Sequence, residues 1–327
     1  MDSVFGYLHR SSRAECFSFL ILTFCFTWGV WIPVLLSSRV HDQLGDLLIV
    51  GTFGPSVAAV LLSYRGVRTP GSKLSTRLAC FGLTFLLCWA VLVAHAGLWD
   101  ELRLAVGSKL LLLLPSAIPA WIVSTAFSRN TGIRATMRSL LTPRPVGWHL
   151  VALCLFPAVL FLGAIVTRIQ GGALLQPRVA GSGTSMALLV IVEFGYAFFV
   201  GGGVSEEPGW RGFLLPRLQD RFSPLVASLL IWFPWALWHA PLDFAGYAGP
   251  TFVAYLRTRV FILVPLCITI TWVYNRCGKT ILSAALFHSA FNVAPDFIPS
   301  SEWAVWMLSV LALMVVVTGR MWRRAGR

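Results

Sequence analysis

The feature that most constrains this chain is a succession of apolar segments, each about 20 residues long, the length at which a helix crosses a hydrocarbon core about 30 Å thick. Composition agrees: 57% of the 327 residues are hydrophobic and 12% are charged, far from a soluble globular mix. The predicted fold is therefore all-α, a polytopic transmembrane helical bundle with about 8–10 membrane-embedded helices. We place the segments at 15–37, 44–64, 78–98, 108–127, 147–168, 184–204, 224–242, 252–274, 280–295 and 303–322.

Basic residues between these segments predict the orientation of the bundle. If the N-terminus is cytoplasmic, 19 of the 26 Lys and Arg residues fall on the cytoplasmic side, among them Arg211, Arg217 and Arg221. The prediction is an integral, multi-pass protein of the cytoplasmic membrane with both termini in the cytoplasm. Cytoplasmic loops that face anionic headgroups account for the net charge of +13. The lipid bilayer is therefore an expected partner and nucleic acid is not.

Several signatures of other protein classes are absent from the sequence. There is no H-E-x-x-H and no G-x-S-x-G, and the seven cysteines form no C-x-x-C pair, so we expect them to act as small apolar packing residues. The stretch AGSGTS at 180–185 is predicted to be an extramembrane loop rather than a serine nucleophile site. The Trp-rich stretch WFPWALW is expected to serve packing and interfacial anchoring.

Ionisable residues are rare within the apolar segments, and those that persist usually face a protein interior or a wet cavity. After position 190 the polar residues form three clusters, made of Glu206, Glu207 and Arg211, then His239, then His288 and Asn292. Each cluster also has a purely structural reading, as an ion pair, a histidine at a helix end, or hydrogen bonds between helices.

The first cluster has a predicted local geometry. Glu207 and Arg211 are four residues apart, so on a helix they share a face and can pair, whereas Glu206 points about 100° away. The glycines at 201–203 are weak helix formers and predict a helix that breaks and restarts there, with Ser205 as the N-cap. A discontinuous helix at membrane depth is tolerated where it lines a cavity or is buried in protein.

The spacing of the clusters predicts their depth. If 206–221 and 224–241 form a hairpin that turns at Ser223 and Pro224, Glu206 and His239 lie equally far from the turn, at about 25 Å. His288, nine residues beyond Lys279, would lie about 13 Å deep. The three side chains reach one pocket only if a helix is tilted or the turn projects beyond the membrane surface.

An acid, two imidazoles and an amide are the parts needed to hydrolyse a peptide bond without a covalent intermediate. The same side chains could instead hold a divalent metal such as zinc, with Glu206, His239 and His288 as candidate ligands. Glu193 fits no cluster and is predicted to be a hydrogen-bonded structural carboxylate at the cavity entrance. No role is assigned to the remaining histidines, His9, His41, His95 and His149.

Three motifs in this order carry a resemblance. E-E-x-x-x-R from Glu206, an aromatic-x-x-x-H ending at His239, and H-x-x-x-N from His288 together resemble the CPBP family of intramembrane proteases. That family, also called Abi, includes the type II CAAX prenyl endopeptidases and bacteriocin-immunity-like proteins. One position departs from the pattern, because Trp235 stands where the family usually has Phe.

The resemblance implies roles for these residues. Glu206 would be the main catalytic acid/base, His239 would help to activate water, Glu207 and Arg211 would support the site, and His288 and Asn292 would stabilise the oxyanion. The expected activity is intramembrane endopeptidase cleavage of a peptide or protein substrate, with CAAX-type processing of prenylated substrates implied by one branch. Whether a metal takes part is left open.

The resemblance also divides the chain. Residues 185–295 would form the catalytic core, 1–184 would be N-terminal transmembrane helices of unassigned role, and 296–327 would be a last helix with a basic cytoplasmic tail.

Two other classes of protein compete with the protease. A transporter would use the same polar residues as an ion path but predicts inverted repeats, and the first half holds no second E-E-x-x-x-R segment. A non-enzymatic immunity or scaffold protein would keep the fold and bind a partner without cutting it.

Overall fold

The computed structural model describes residues 13–37, 47–64, 74–99, 110–143, 145–177, 179, 185–247 and 251–324. The helices of this part are α1 Arg13–Leu36, α2 Leu47–Gly51, α3 Gly54–Ser63, α4 Leu74–Trp99, α5 Leu113–Ser124, α6 Thr131–Met137, α7 Val146–Ile169, α8 Met186–Phe199, α9 Gly203–Gly209, α10 Leu215–Gln219, α11 Pro224–Trp238, α12 Ala240–Leu242, α13 Phe252–Arg257, α14 Leu263–Arg276, α15 Ile281–Phe297 and α16 Glu302–Thr318.

Short tighter or wider helical turns connect some of these helices. The π-helical segments are Trp210–Leu214 between α9 and α10, Asp243–Tyr247 after α12, and Thr258–Ile262 between α13 and α14. Two 3-10 turns, Thr125–Phe127 and Arg138–Leu141, flank α6. Within the described ranges the one strand-like contact is the bridge between Leu175 and Ser300, so the all-α prediction is confirmed.

Five helical spans are long and apolar enough to cross a membrane: Arg13–Leu36, Leu74–Leu98, Val146–Ile169, Met186–Gln219 and Phe252–Arg276. A sixth forms if Pro224–Trp238 and Ala240–Gly246, bent by 43°, are taken as one span. Shorter apolar helices lie at Leu47–Ser63, Leu113–Phe127 and Glu302–Thr318. The protein is a polytopic helical membrane protein, as its sequence predicts.

The interior and the exterior of the bundle both carry apolar side chains. Four tryptophans are almost fully buried and pack against each other in its centre: Trp31, Trp210, Trp235 and Trp238. Leucines such as Leu78, Leu83 and Leu86 on α4 are instead at least 60% exposed, which is typical of a surface that meets lipid. The packing role predicted for WFPWALW is confirmed at its buried tryptophans.

The predicted helix break is present, but its cap differs from the prediction. α8 ends at Phe199 and α9 begins at Gly203, and Gly202 between them has φ +126°, a conformation that side-chain-bearing residues rarely adopt. The N-cap is Gly202, so the assignment of Ser205 as N-cap is wrong. The Ser205 hydroxyl lies inside the first turn, where it accepts from the Gly202 N–H at 3.0 Å and donates to the Val200 carbonyl at 3.2 Å.

The depth discrepancy between Glu206 and His288 is resolved by a projecting turn. Ser223 caps α11 by accepting from the Val226 N–H, so the chain turns where the sequence predicts. Gly212 packs directly against Ile281, because a Cβ at Gly212 would lie 2.5 Å from Ile281 Cδ1. The residues between Gly212 and the turn therefore extend past the start of α15, which brings Glu206 and His288 to similar depth.

Basic residues, among them Arg217 and Arg324, lie at one end of the bundle. There Arg217 pairs with Glu15 at 3.0 Å, Arg324 donates to the Asp220 carbonyl, and the Leu225 N–H donates to the Met321 carbonyl. The start of α1 and the region after α16 therefore lie at the same end. Arg211 does not belong to this group, because its side chain is fully buried, so counting it among the cytoplasmic cations is wrong.

Candidate active site

A cavity of about 230 Å³ opens between α1, α8–α9, α11, α14 and α15. Its polar lining consists of Glu206, His239, Arg259, His288, Thr52, Gly201 and Asn292. Its apolar walls consist of Trp31, Trp235, Trp238, Leu242, Leu263, Leu266 and Phe291. The three predicted clusters therefore meet at one cavity.

Glu206 is 5% exposed and faces this cavity from the first turn of α9. The indole N–H of Trp235 donates to Glu206 Oε2 at 2.7 Å. This hydrogen bond fixes one of the two carboxylate oxygens. It also gives a function to the Trp that replaces the usual Phe, because Phe has no N–H to donate.

Glu207, the next residue of α9, links two other predicted residues. Arg211 Nη1 donates to Glu207 Oε1 at 3.0 Å, as the four-residue spacing predicts, although a π-helical segment begins between them. His288 Nδ1 lies 2.7 Å from the same oxygen. The Arg211 guanidinium also packs over the Trp235 ring at 4.4 Å. A buried chain of Arg211, Glu207 and His288 thus reaches the cavity wall.

His239 caps the C-terminus of α11. Its Nδ1 lies 2.8 Å from the Trp235 carbonyl, one turn earlier. Because a carbonyl oxygen only accepts, Nδ1 carries the proton of this bond, and in the neutral ring Nε2 is left as an acceptor. The same tryptophan therefore positions both Glu206 and His239, through its side chain and its main chain.

The helix break forms the wall beside His288. A Cβ at Gly202 would lie 2.6 Å from both His288 Cε1 and Nε2, so the imidazole sits in space that only glycine leaves open. One turn beyond His288, Asn292 Nδ2 donates to the Gly201 carbonyl at 2.5 Å. His288 and Asn292 on α15 therefore both pack against the glycines between α8 and α9.

The metal alternative does not fit this arrangement. Among the described residues, no three His, Cys, Asp or Glu side chains are placed to hold one ion, and this includes Glu206, His239 and His288. No step of the reaction is therefore derived through a metal.

Three contributors to the cavity were not anticipated from sequence. Arg259 lines it and is bound by Asp243 through two hydrogen bonds. Trp31 and Thr52 also line the cavity, and they belong to the N-terminal part of the chain, for which the sequence predicts no role. In the sequence, Asp243 and Arg259 are an Asp and an Arg sixteen residues apart near the ends of apolar segments. That spacing is too weak a signal to predict that the two side chains pair.

Glu193 and the other histidines behave differently from the active-site candidates. Glu193 is buried and lies 3.1 Å from His95 Nδ1, so it is a hydrogen-bonded carboxylate as predicted, but it does not line this cavity. His149 Nδ1 lies 2.8 Å from the Pro145 carbonyl. His9, His41 and residues 180–184 of the AGSGTS stretch lie outside the described residues.

All seven cysteines lie in the described part of the chain and are free, as expected for packing residues. Cys267 does more than pack, because its thiol donates to the Ser228 carbonyl at 3.1 Å and accepts from Arg211 at 3.5 Å.

The helical bundle of membrane spans brings an acid, two imidazoles and an amide to one cavity, and these are the groups that hydrolysis of a peptide bond requires. Comparison with known proteins agrees. Residues 187–294 match the family model described as type II CAAX prenyl endopeptidase Rce1-like. A CAAX prenyl protease 2 from Methanococcus maripaludis is 29% identical over 207 residues, which cover 60% of this chain and 75% of that protein.

Residues 187–294 are thus similar to an Rce1-like CAAX prenyl endopeptidase domain, and the protein is a peptidase that acts on a protein or peptide substrate. The matched residues contain Glu206, His239 and His288, and the cavity walls from Trp31 and Thr52 lie outside the match.

Proposed function

We propose that this peptidase cleaves membrane-associated, prenylated proteins next to the lipid-bearing residue by means of a water molecule that Glu206 activates. The observation that carries the proposal is that Glu206, His239 and His288 line one cavity inside the bundle. Glu206, Glu207, Arg211, His239, His288 and Asn292 are the residues to which we give roles.

Glu206 is the general base in this proposal. With Oε2 held by the Trp235 indole, Oε1 is available to take a proton from a water in the cavity. His239 Nε2, an acceptor when Nδ1–H is bonded to the Trp235 carbonyl, holds the second proton of that water. The oxygen lone pair is thereby directed at the scissile carbonyl carbon.

The oxyanion is stabilised from the opposite wall. With Nδ1–H donating to Glu207, a protonated His288 presents Nε2–H to the cavity, and the Glu207 carboxylate balances the imidazolium charge. Arg211 holds Glu207 in place through its hydrogen bond to Oε1. Asn292, anchored on the Gly201 carbonyl, has a second amide N–H for the same oxygen.

The reaction then goes to completion without a covalent intermediate. Water oxygen bonds to the carbonyl carbon as Glu206 takes its proton, and the C–N bond breaks as Glu206 returns that proton to the leaving amine. The products are a carboxylic acid and a free amine, the remaining proton of the water passes from the acid to the amine to give carboxylate and ammonium, and Glu206 is again ionised.

The walls suit a substrate with an apolar attachment. Trp31, Trp238, Leu263 and Phe291 offer apolar and aromatic surface next to the polar groups, which fits a prenyl chain that enters from the bilayer. Together with the CAAX prenyl protease similarity, this supports a prenylated protein at the cytoplasmic membrane as substrate. The basic end of the bundle supports a cytoplasmic location of both chain ends, and the same charges support anionic lipid headgroups rather than nucleic acid as partners.

The test is cleavage of a quenched-fluorescence peptide panel, farnesylated and unprenylated, by protein purified in detergent. We expect Glu206→Gln to lower kcat by a factor on the order of 10²–10⁴, the contribution of a general base. Glu193→Gln is the matched control, since Glu193 is equally buried but outside the cavity, and it should cut within about threefold of the unsubstituted protein.

Two results would contradict the proposal. Cleavage by Glu206→Gln at more than a tenth of the normal rate would show that Glu206 is not the general base. Binding of the peptides without cleavage by the unsubstituted protein would favour the non-enzymatic scaffold instead.

A further inference from the structure

A second cavity lies at the basic end of the bundle. Its volume is about 680 Å³, and among the described residues it shares no lining residue with the catalytic cavity. It lies between the turn that joins α10 to α11, the C-terminal end of α14 and the segment after α16. Small-molecule sites typically measure about 300–1,000 Å³, so this cavity has room for a ligand. The reaction proposed above gives it no role.

The described lining of this second cavity is strongly cationic. It contains four cations and one acidic residue: Lys279, Arg320, Arg323, Arg324 and Asp220. Within the described ranges none of the four cations forms an ion pair with a carboxylate. Arg324 instead donates to the backbone carbonyl of Asp220 at 2.9 Å. Because clustered charge of one sign attracts the opposite sign, the ligand that suits this cavity is an anion.

Two of these cations have backbone conformations that side-chain-bearing residues rarely adopt. Lys279 has φ +62° and Arg320 has φ +49°, and in the described part of the chain they are the two non-glycine residues with positive φ. Arg320 directly follows the C-cap of α16, a position that glycine usually fills. Strained residues concentrate at binding sites, where the surrounding structure holds them in place. Both strained residues are cations in the wall of one cavity, which points to a ligand.

The segment that carries the three arginines is fixed against the rest of the bundle. The Leu225 N–H at the start of α11 donates to the Met321 carbonyl at 3.0 Å. The Arg323 N–H donates to the Arg320 carbonyl at 2.9 Å, which closes a tight turn after α16. The guanidinium groups therefore extend from a defined backbone.

Two amide side chains in the wall have polar atoms that no protein group satisfies. Gln219 Nε2 and Asn275 Oδ1 are buried and have no hydrogen-bond partner among the described residues. Such atoms are costly unless they are paired. An anionic oxygen can accept from the Gln219 amide, and a hydroxyl group of the same ligand can donate to Asn275.

We propose that this second cavity binds an anionic phosphoester, whose phosphate oxygens are held by Lys279, Arg320 and Arg323. Guanidinium groups bind phosphate through two parallel hydrogen bonds, and an ammonium group adds a point charge. Basic pockets between membrane helices bind the headgroups of anionic lipids. Phe222, which is 41% exposed, lines the same cavity and offers apolar surface next to the cations. That surface favours a phospholipid over a soluble phosphoester as the source of the phosphate.

The experiment is native mass spectrometry of the whole protein in a neutral detergent. Phosphatidylglycerol and phosphatidylcholine with the same acyl chains are titrated separately, and glycerol 3-phosphate is the soluble probe. We expect phosphatidylglycerol to bind about tenfold more tightly than phosphatidylcholine, or more, as for hydrogen bonds between charged groups. Failure of glycerol 3-phosphate to displace phosphatidylglycerol assigns the site to lipid. Displacement at similar affinity assigns it to soluble phosphoesters.

Three variants locate the site. Arg320→Gly should lower the affinity for phosphatidylglycerol about tenfold or more, yet its melting temperature should be no lower, because glycine adopts φ +49° without strain. Arg323→Gln should also lose affinity and keeps the original residue at position 320. Arg276→Gln is the matched control, since Arg276 is exposed at the end of α14 but does not line the cavity. It should bind within about twofold of the unsubstituted protein.

Two results would overturn the inference. One is equal binding of the two lipids together with no binding of glycerol 3-phosphate. The other is a loss in Arg276→Gln as large as the loss in the two cavity variants, which would show diffuse attraction to a basic surface. The measurement uses no peptide, so it is independent of the proposed function. A protein that cuts nothing can still bind the phosphoester, and loss of this binding leaves the peptidase proposal standing.

Discussion

At the scale of single residues, the buried ionisable side chains around the site are stabilised by specific partners. Glu207 has Arg211 and His288, Glu206 has the Trp235 indole, and Asp243 has Arg259. The desolvation of a charge costs several kcal/mol, so removal of one partner leaves the other uncompensated. Each partner is therefore a structural requirement as well as a contributor to the site.

Arg211→Met should reveal this cost. Both side chains of the Glu207–Arg211 pair are 0% exposed, so we expect a loss of about 3–5 kcal/mol in the free energy of unfolding. The measurement is denaturant unfolding in mixed micelles, followed by tryptophan fluorescence.

Arg257→Met is the control for Arg211→Met. It breaks a 2.6 Å pair with Glu302 whose side chains are 64% and 77% exposed, and it should cost less than about 1 kcal/mol. Similar losses in the two variants would show that burial does not set the strength of the Glu207 pair.

Only the local pair among these contacts could be predicted from the sequence. Glu207 and Arg211 are four residues apart, which fixes their proximity on a helix. The Trp235 bond to Glu206 and the His288 bond to Glu207 join residues 29 and 81 positions apart. No local periodicity determines such contacts, because they depend on how separate helices pack.

At the scale of elements, the broken span Met186–Gln219 is the feature on which the site depends. The break lets α9 begin inside the bundle and place Glu206 and Glu207 in its first turns. Glycines predicted the break, but the identity of the cap and the π-helical segment at Trp210–Leu214 were settled by packing. A π-helical turn occurs often at functional sites, here directly at Arg211.

Gly202→Ala should disable the site. The new Cβ would strain a residue at φ +126° and lie 2.6 Å from two atoms of His288. A displaced imidazole of about 1 Å can cost on the order of 100-fold in rate, so we expect kcat to fall by at least that factor.

Gly171→Ala separates strain from contact. Gly171 also has positive φ, +71°, but a Cβ there meets nothing within 4 Å. This variant should lose about 1 kcal/mol of stability and keep its peptidase rate. If Gly202→Ala were as active as Gly171→Ala, the fit of His288 against the helix break would not matter for catalysis.

At the scale of the whole molecule, the helices run between two ends of the bundle, and one of these ends carries basic residues. Arg217, Asp220 and the residues after α16 meet at the basic end, whereas Gln170 and Trp303 bond to each other at the other end. From the positive-inside rule we propose that the basic end faces the cytoplasm.

Cysteine labelling tests this orientation. Asp220→Cys and Arg323→Cys should react with a membrane-impermeant maleimide only after cells are permeabilised, and Gln170→Cys should react in intact cells. The unsubstituted protein, with its seven native cysteines, gives the background. Labelling of Arg323→Cys in intact cells would place the C-terminal end outside.

The sequence by itself determined the class of fold, the approximate helices and the three motifs, because hydropathy and helical spacing are local properties. It also indicated that α9 would follow a break, since three consecutive glycines are weak helix formers. The tertiary structure alone decided that Trp235 binds Glu206, that His288 fits against Gly202, and that Arg259 enters the cavity. Those contacts join distant helices whose approach depends on the shape of every side chain between them, and such packing leaves no pattern along the chain.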